Sequence, residues 1–189
     1  MCWQTLPCLA LILQIAIVVR SDLKLVHEAK VDFDQDFGHK YGIYNGVLAN
    51  PAEGEIFAPV AMWLEALELL LDRLKEDGLD FSCVKGVSGA GMQHGTVFWS
   101  HRAKSLLEGL RVDKSLVEQL GGDKDAFLRG AFSSPYSPNW QDASTQAQCD
   151  LFDKVLGDEK TLADVTGSKA HHVSNCTFRR QFFAKIVAV

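Results

Sequence analysis

The sequence predicts an α/β domain, and three stretches carry that prediction. They are a β-branched run followed by an alternating segment at 15–33, a helical apolar pattern at 58–77, and a short apolar run that ends in glycines at 84–95. The 189 residues suffice for one domain of ordinary size and not for two. Apolar residues make up 47% and charged residues 23%, which supplies a core and argues against disorder and against a multi-span membrane protein. The net charge of −5 gives no global attraction for nucleic acid or anionic lipid, so any bound phosphate would have to be held by local geometry.

Each element follows from local pattern. Ile15 to Val19 is β-branched, Arg20-Ser21-Asp22 supplies a turn, and Leu25, His27, Ala29, Val31 and Phe33 alternate with Lys24, Glu28, Lys30 and Asp32, which reads as a β-hairpin. Gly38 to Gly54 has no period and reads as a loop. From Ala58 to Asp77, Trp63, Leu67, Leu70, Leu71 and Leu74 fall at helical spacing, with Pro59 in the first turn and Gly78 past the end, so one face should pack on a sheet. Val84 to Val87 reads as a short strand and Thr96 to Trp99 as a second β-rich run. Short helices are expected at Arg102–Leu110, Ser115–Leu120 and Asp123–Arg129, then a loop at Ser133–Asn139. Asp142 or Ser144 is placed to cap a helix that runs to about Leu156, and Thr161 to Val165 continues helically.

Five cysteines, at 2, 8, 83, 149 and 176, form no CxxC pair and support neither a disulfide framework nor a zinc ribbon; individual buried thiols in a reducing compartment are expected. Leu6 to Val19 is apolar except for Gln14. It is too short to span a membrane, and without a basic start or a small-x-small cleavage site it is expected to pack as sheet in a cytoplasmic protein. A secreted glycoprotein is the competing reading, because Asn175-Cys176-Thr177 is a glycosylation sequon.

Other chemistry is excluded motif by motif. His171, His172 and Cys176 lack a spaced fourth metal ligand. Asp32, Asp34 and Asp36 alternate like the start of a calcium loop, but Phe37 stands where that loop needs glycine and Ile43 where it needs glutamate. No Ser-x-x-Lys or Gly-x-Ser-x-Gly nucleophile motif occurs. The glycine-rich turn Ser88-Gly89-Ala90-Gly91-Met92-Gln93-His94-Gly95 has histidine where a dinucleotide fingerprint needs its third glycine, and it lacks the Gly-Lys-Ser/Thr of a P-loop. What remains is a turn presenting Gln93 and His94, which both donate and accept hydrogen bonds as a polyhydroxylated ligand demands; a histidine satisfied within its own turn is the plainer alternative.

Gly91-Met92-Gln93-His94-Gly95 after Val87-Ser88-Gly89 resembles the sugar-binding turn of the FGGY carbohydrate kinases, and more narrowly of eukaryotic xylulokinases, where a Gly-Gln-Gln-His-Gly type sequence occurs. Pro59 to Trp63, Asn139 to Cys149 and Leu162 to Ala170 are similar to xylulokinase segments in the same order, and the resemblance runs from about Ile15 to Ala170, with a faint return at Ala184-Lys185-Ile186. It implies ATP-dependent phosphorylation of D-xylulose to D-xylulose 5-phosphate on a ribonuclease-H-like (actin-like ATPase) pair of domains. Of these, residues 15–172 match part of the N-terminal, sugar-binding domain. Carried over, His94 matches the substrate-binding histidine, with Gln93 beside it, and Trp140 and Asp142 match a Trp-x-Asp signature beside the sugar pocket. For Asp142 a helix N-cap is the alternative.

The ends depart from that pattern. Residues 1–14 hold none of the family's Asp-x-Ser-Thr turn, and 173–189 read Val173-Ser174-Asn175-Cys176-Thr177-Phe178 where an Arg-Phe-Thr-Gly-like segment is expected. Arg179 and Arg180 are displaced and inherit no role. The family's general base and its ATP-binding domain have no counterpart here, so no catalytic residue is assigned, and the family's ATP and Mg2+ are not expected to bind this stretch. The expectation is a xylulokinase-like chain truncated at both ends and inactive by itself, with a non-catalytic sugar-binding or interaction fragment as the alternative; neither nucleic acid nor membrane is an expected partner.

Overall fold

The computed structural model describes residues 13–91, 95–121, 130–167 and 169–170. They form a mixed α/β structure with small sheets, and the chain divides into two compact units, Met1–Leu48 with Ala58–Met92 and Val97–Ser137, and Ala49–Phe57 with Gln93–Thr96 and Pro138–Val189.

The first unit begins with the hairpin. Strands β1 (Leu13–Val19) and β2 (Leu25–Asp32) pair antiparallel from Leu13↔Asp32 to Val18↔His27, with an irregularity at Val18/Val19. Leu23 takes φ 62 in the turn and donates its N–H to the Arg20 carbonyl at 2.9 Å. Ala16, Val18, Ala29 and Val31 belong to the core side, while Ile15, Ile17 and Val19 are exposed. The expected sheet packing of Leu6–Val19 is met over Leu13–Val19; residues 6–12 lie outside the described residues. Among the described residues no helix is long and apolar enough to cross a membrane.

Alternation stops at Asp32 rather than continuing to Phe33. Its Oδ1 accepts from the Gln35 N–H at 3.0 Å and so starts helix α1 (Phe33–Tyr41), which ends at Gly42 with φ 67. Part of the stretch expected to be loop from Gly38 to Gly54 is therefore helix, and Leu48–Asn50 is strand β3. The three alternating aspartates each have a structural duty. Asp32 caps the helix, Asp34 accepts from the N–H groups of Asn45 and Gly46 at 2.8 Å each, and Asp36 accepts from the Asp32 N–H at 2.9 Å while pairing with both terminal nitrogens of Arg73 at 3.0 and 2.7 Å.

Helix α2 (Val60–Glu76) is the spine of this unit. Pro59 offers no side-chain cap, and the first N–H, on Val60, donates instead to the Pro135 carbonyl at 2.8 Å. The buried stripe is Met62, Ala66, Leu70 and Leu74, set against Ala29, Val31, Phe33, Phe37 and Ile43. Leu67 and Leu71, expected on the packed face, are 38% and 41% exposed. Each follows a buried residue, Ala66 and Leu70, by one position, so the helical turn carries it off the buried stripe. A second cluster joins Val60 to Ala103, Leu120, Ala131 and Phe132, with Leu64 packed on it, so α2 serves two cores. Helices α3 (Ala103–Glu108) and α4 (Leu116–Leu120) stand where the sequence placed them; Ser115 caps α4, and Glu68 on α2 accepts the Leu116 N–H at 2.7 Å. The helix expected at Asp123–Arg129 lies outside the described residues.

Two strand expectations fail. Phe81–Cys83 is a single 3-10 turn, and 84–91 has no regular structure, with Val87 93% exposed. Thr96 to Trp99 contributes one isolated bridge, Trp99↔Phe132, rather than a strand. β-branched composition alone produced both expectations, and neither run has a described strand to pair with along its length. Conversely, the expected loop at Ser133–Asn139 contains β5 (Tyr136–Pro138), which lies beside β4 (Glu55–Pro59) in a sheet of order β3-β4-β5.

In the second unit, helices α5 (Gln146–Leu156) and α6 (Glu159–Thr166) follow the expected pattern, with Asp158 capping α6 through the Thr161 N–H at 2.7 Å. Cys149 on α5 is buried, but Cys83 is exposed, against the expectation of buried thiols.

The Arg73 guanidinium holds the Asp36 carboxyl below its ordinary value, partly opposed by burial and aided by the Asp32 N–H. A carboxyl lowered in the folded state stabilises fully above its unfolded value near about 4, and that contribution is lost as pH falls through the folded value. Asp36→Asn is expected to destabilise the chain by about 1–2 kcal/mol at neutral pH, after allowance for solvent screening, and to flatten the acid limb of stability against pH. Urea denaturation from pH 7 to 3 checks this, and parallel pH profiles for the two proteins would remove Asp36 from the acid response.

Candidate functional site

Of the four residues singled out from sequence, Gln93 and His94 lie outside the described residues, and Trp140 and Asp142 share one loop. The turn that bears Gln93 and His94 follows an exposed irregular segment, not a strand end, so the expectation that it sits at the carboxyl end of a strand is corrected.

The loop between β5 and α5 is built by backbone pairing to β4. The Asn139 N–H donates to the Ile56 carbonyl at 3.2 Å, and the Ala143 N–H to the Gly54 carbonyl at 2.8 Å. Between them the Asp142 carboxylate, 4% exposed, accepts from the Ile56 N–H at 2.9 Å through Oδ2, and from the Ser144 N–H at 3.2 Å and hydroxyl at 2.7 Å through Oδ1. Asp142 thus ties the loop to the strand and closes a local turn at Ser144. It does not cap α5, and neither does Ser144: the cap position falls on Thr145, which makes no side-chain capping bond. The reason is geometric, since Asp142 lies too far before the first helical turn once its oxygens are committed to Ile56 and Ser144.

At Gly54 the backbone conformation, not space, calls for glycine. Its φ is +66, and a Cβ there would meet the Ala143 carbonyl carbon at 3.5 Å and the Ser144 nitrogen at 3.6 Å. Trp140, 39% exposed, projects from the segment held in this way, and the Gln141 N–H donates to Asn139 Oδ1 at 2.6 Å. Sequence reasoning missed Asn139 and Thr145, which are 3% and 5% exposed, with Asn139 Nδ2 and Thr145 Oγ1 lacking hydrogen-bond partners. Buried polar atoms in that state are costly, and the only sequence signal for them is their place within Asn139 to Cys149, the stretch similar to xylulokinases. Chemically, the loop combines a partly exposed indole with a carboxylate whose oxygens are already taken up by backbone and hydroxyl donors.

The described residues do not fit a magnesium–nucleotide cradle. No group of three or more His, Cys, Asp and Glu among them could hold a metal ion. An open cleft of about 400 Å³ lined by Asp158, Glu159, Lys160, Ala163 and Lys169 has its lysines already paired, Lys160 with Asp164 at 2.5 Å and Lys169 with Glu159 at 3.4 Å.

No protein-family profile matches the chain. Over most of its length it is nevertheless homologous to carbohydrate kinases. It is 58% identical over 156 residues to the probable D-xylulose kinase A of Neosartorya fischeri, 57% over 157 residues to that of Arthroderma otae, and 54% over 156 residues to the D-xylulose kinase A of Aspergillus niger. These matches cover 82–83% of this chain and 26% of each relative, so the chain spans about a quarter of the length of the curated relatives it matches. The xylulokinase resemblance seen in Pro59 to Trp63 and Asn139 to Cys149 is thereby borne out.

If Asp142 ties loop to strand, Asp142→Ala strands the Ile56 and Ser144 donors and is expected to cost about 2–4 kcal/mol in thermal or urea unfolding. Asp142→Asn should recover only part, because its amide nitrogen must face one of those donors. Trp140→Ala, at a partly exposed side chain, should cost about 1 kcal/mol or less. Equal losses at positions 140 and 142 would show that the carboxylate has no special structural share.

Proposed function

We propose that this chain is the sugar-facing part of a D-xylulose-phosphorylating kinase of the FGGY type, with a ribonuclease-H-like N-terminal domain over residues 15–172, working in the cytoplasm. The observation that carries the reading is the 54–58% identity to proteins named D-xylulose kinase A over four-fifths of the chain. His94 and Gln93 bind hydroxyls of D-xylulose, Trp140 flanks the sugar, and Asp142 acts by fixing the loop that carries Trp140, its two oxygens being taken up by Ile56 and Ser144. ATP is the phosphoryl donor of the complete reaction and Mg2+ its companion. Phosphoryl transfer depends on aligning donor and acceptor around a neutralising metal, and in this reading His94, Gln93 and Trp140 belong to the acceptor side of that arrangement.

A non-catalytic sugar-binding role is the second reading, in line with both Asp142 oxygens being committed to Ile56 and Ser144. Titration calorimetry with D-xylulose tests the sugar site, and a coupled ADP-release assay with magnesium ATP tests for turnover. The expected result is D-xylulose binding weakened by about 1–3 kcal/mol in His94→Ala, with no turnover from the 189-residue chain. Xylulose-dependent turnover within about tenfold of a full-length relative would show that the chain carries a complete site. Unchanged sugar affinity in His94→Ala would make the histidine structural.

A further inference from the structure

We propose that the loop between β5 and α5 encloses a binding site for one internal water molecule, held by the Asn139 amide, the Thr145 hydroxyl and the Gln148 side-chain carbonyl. Asn139 is fixed at every polar group but one. Its N–H donates to the Ile56 carbonyl at 3.2 Å, its carbonyl accepts the Asp142 N–H at 3.2 Å, and its Oδ1 accepts the Gln141 N–H at 2.6 Å. The last bond settles which way the amide faces. Nδ2 is therefore a donor of set direction on a residue that is 3% exposed, and nothing among the described residues accepts from it.

The groups that share the ligand follow in the same compact unit. The turn from Asn139 to Asp142 runs straight into a second, closed by the Gln146 N–H on the Ala143 carbonyl at 3.1 Å, which delivers Thr145 to the start of α5. The Gln148 N–H donates to the Thr145 carbonyl at 3.1 Å, so these two residues stand one turn apart on the same side of the helix. Thr145 is 5% exposed and its hydroxyl does not cap α5; neither Thr145 Oγ1 nor Gln148 Oε1 has a partner among the described residues. Asn139 Nδ2 only donates, Gln148 Oε1 only accepts, and the hydroxyl does either. A water molecule accepts from the first, donates to the second and completes with the third the set of about three bonds that buried waters make. An anion would meet the Gln148 carbonyl oxygen unfavourably and a cation the Asn139 amide, which leaves a neutral molecule that both donates and accepts. A sugar hydroxyl has that chemistry too, but its carbon skeleton cannot reach so enclosed an amide unless the loop leaves β4.

Diffraction from crystals of the full chain, at a resolution that orders internal solvent, should show a water about 2.7–3.2 Å from Asn139 Nδ2 and bonded to Thr145 Oγ1 and Gln148 Oε1. A protein acceptor on Nδ2, or no water there, would overturn the proposal. In solution, oxygen-17 relaxation dispersion counts long-lived internal waters and is blind to exchanging hydroxyl protons. Thr145→Val removes one partner at nearly constant shape and should lower the dispersion amplitude by one molecule, whereas Thr145→Ser, which keeps the hydroxyl, should preserve it. Circular dichroism checks that both stay folded, and Gln148→Met takes the place of Thr145→Val if the latter does not. Equal amplitudes in the unaltered chain and in the folded variant that lacks a partner would overturn the site. The amplitude should also be unchanged by D-xylulose; its loss on adding the sugar would make these atoms a sugar subsite and overturn the assignment to water.

Discussion

The guanidinium of Arg73 fixes the geometry of the first unit. It reaches from α2 to the Lys30 carbonyl of β2 and to both oxygens of Asp36 on α1, while Asp36 holds the Asp32 N–H at the point where strand becomes helix. One planar fork thus sets the spacing of three elements, which lysine, as a single point charge, could not do. The apolar stripe from Met62 to Leu74 supplies the bulk of the burial, but grease alone would tolerate a helix slid along its axis or turned about it. Hydrogen bonds of fixed direction remove that freedom. Lys40, which pairs with Glu65, extends the same bracing at the other side of α1, where burial and the Glu65 carboxylate raise the Tyr41 phenol above its ordinary value.

What could be read in advance was whatever depends on neighbours in sequence. The hairpin, α2, α3, α4, α5 and α6 announced themselves through periodicity and caps, because those patterns act within a few residues. Helix α1 was hidden because its apolar side is only Phe33 and Phe37, and because its acids look like a cation loop until Asn45, Gly46 and Arg73 are seen to bind them. The strands expected at Val84 and Thr96 failed for the complementary reason: a β-rich run becomes a strand only when another strand lies alongside. One partner of β4 is Tyr136–Pro138, within a stretch whose Pro135 and Pro138 suggest loop and which lies some eighty residues away in the chain.

The loop from Asn139 to Thr145 was legible as a motif and not as a mechanism. Sequence similarity marked Trp140 and Asp142 together, yet the two side chains have opposite situations, one partly in solvent and the other enclosed by donors. An acidic residue in a sugar-kinase motif invites a role in contact with the sugar. Here its oxygens are taken up by Ile56 and Ser144, and what it fixes is the attachment of the loop to β4. Gly54 belongs to the same small mechanism through its backbone: at φ +66, a conformation that favours glycine, its carbonyl accepts the Ala143 N–H.

The two described thiols form a natural timing pair. Cys83 is exposed in the 3-10 turn beside Asp80, while Cys149 is 1% exposed on α5, its thiol pushed above the ordinary value by burial first and by Asp150 and Asp153 after that. A thiol reagent meets the first at once and the second only when α5 loosens from its surroundings. The lag between them is a stopwatch on the opening of the helix that follows the Trp140 loop, and it runs in the unaltered protein, with no label added.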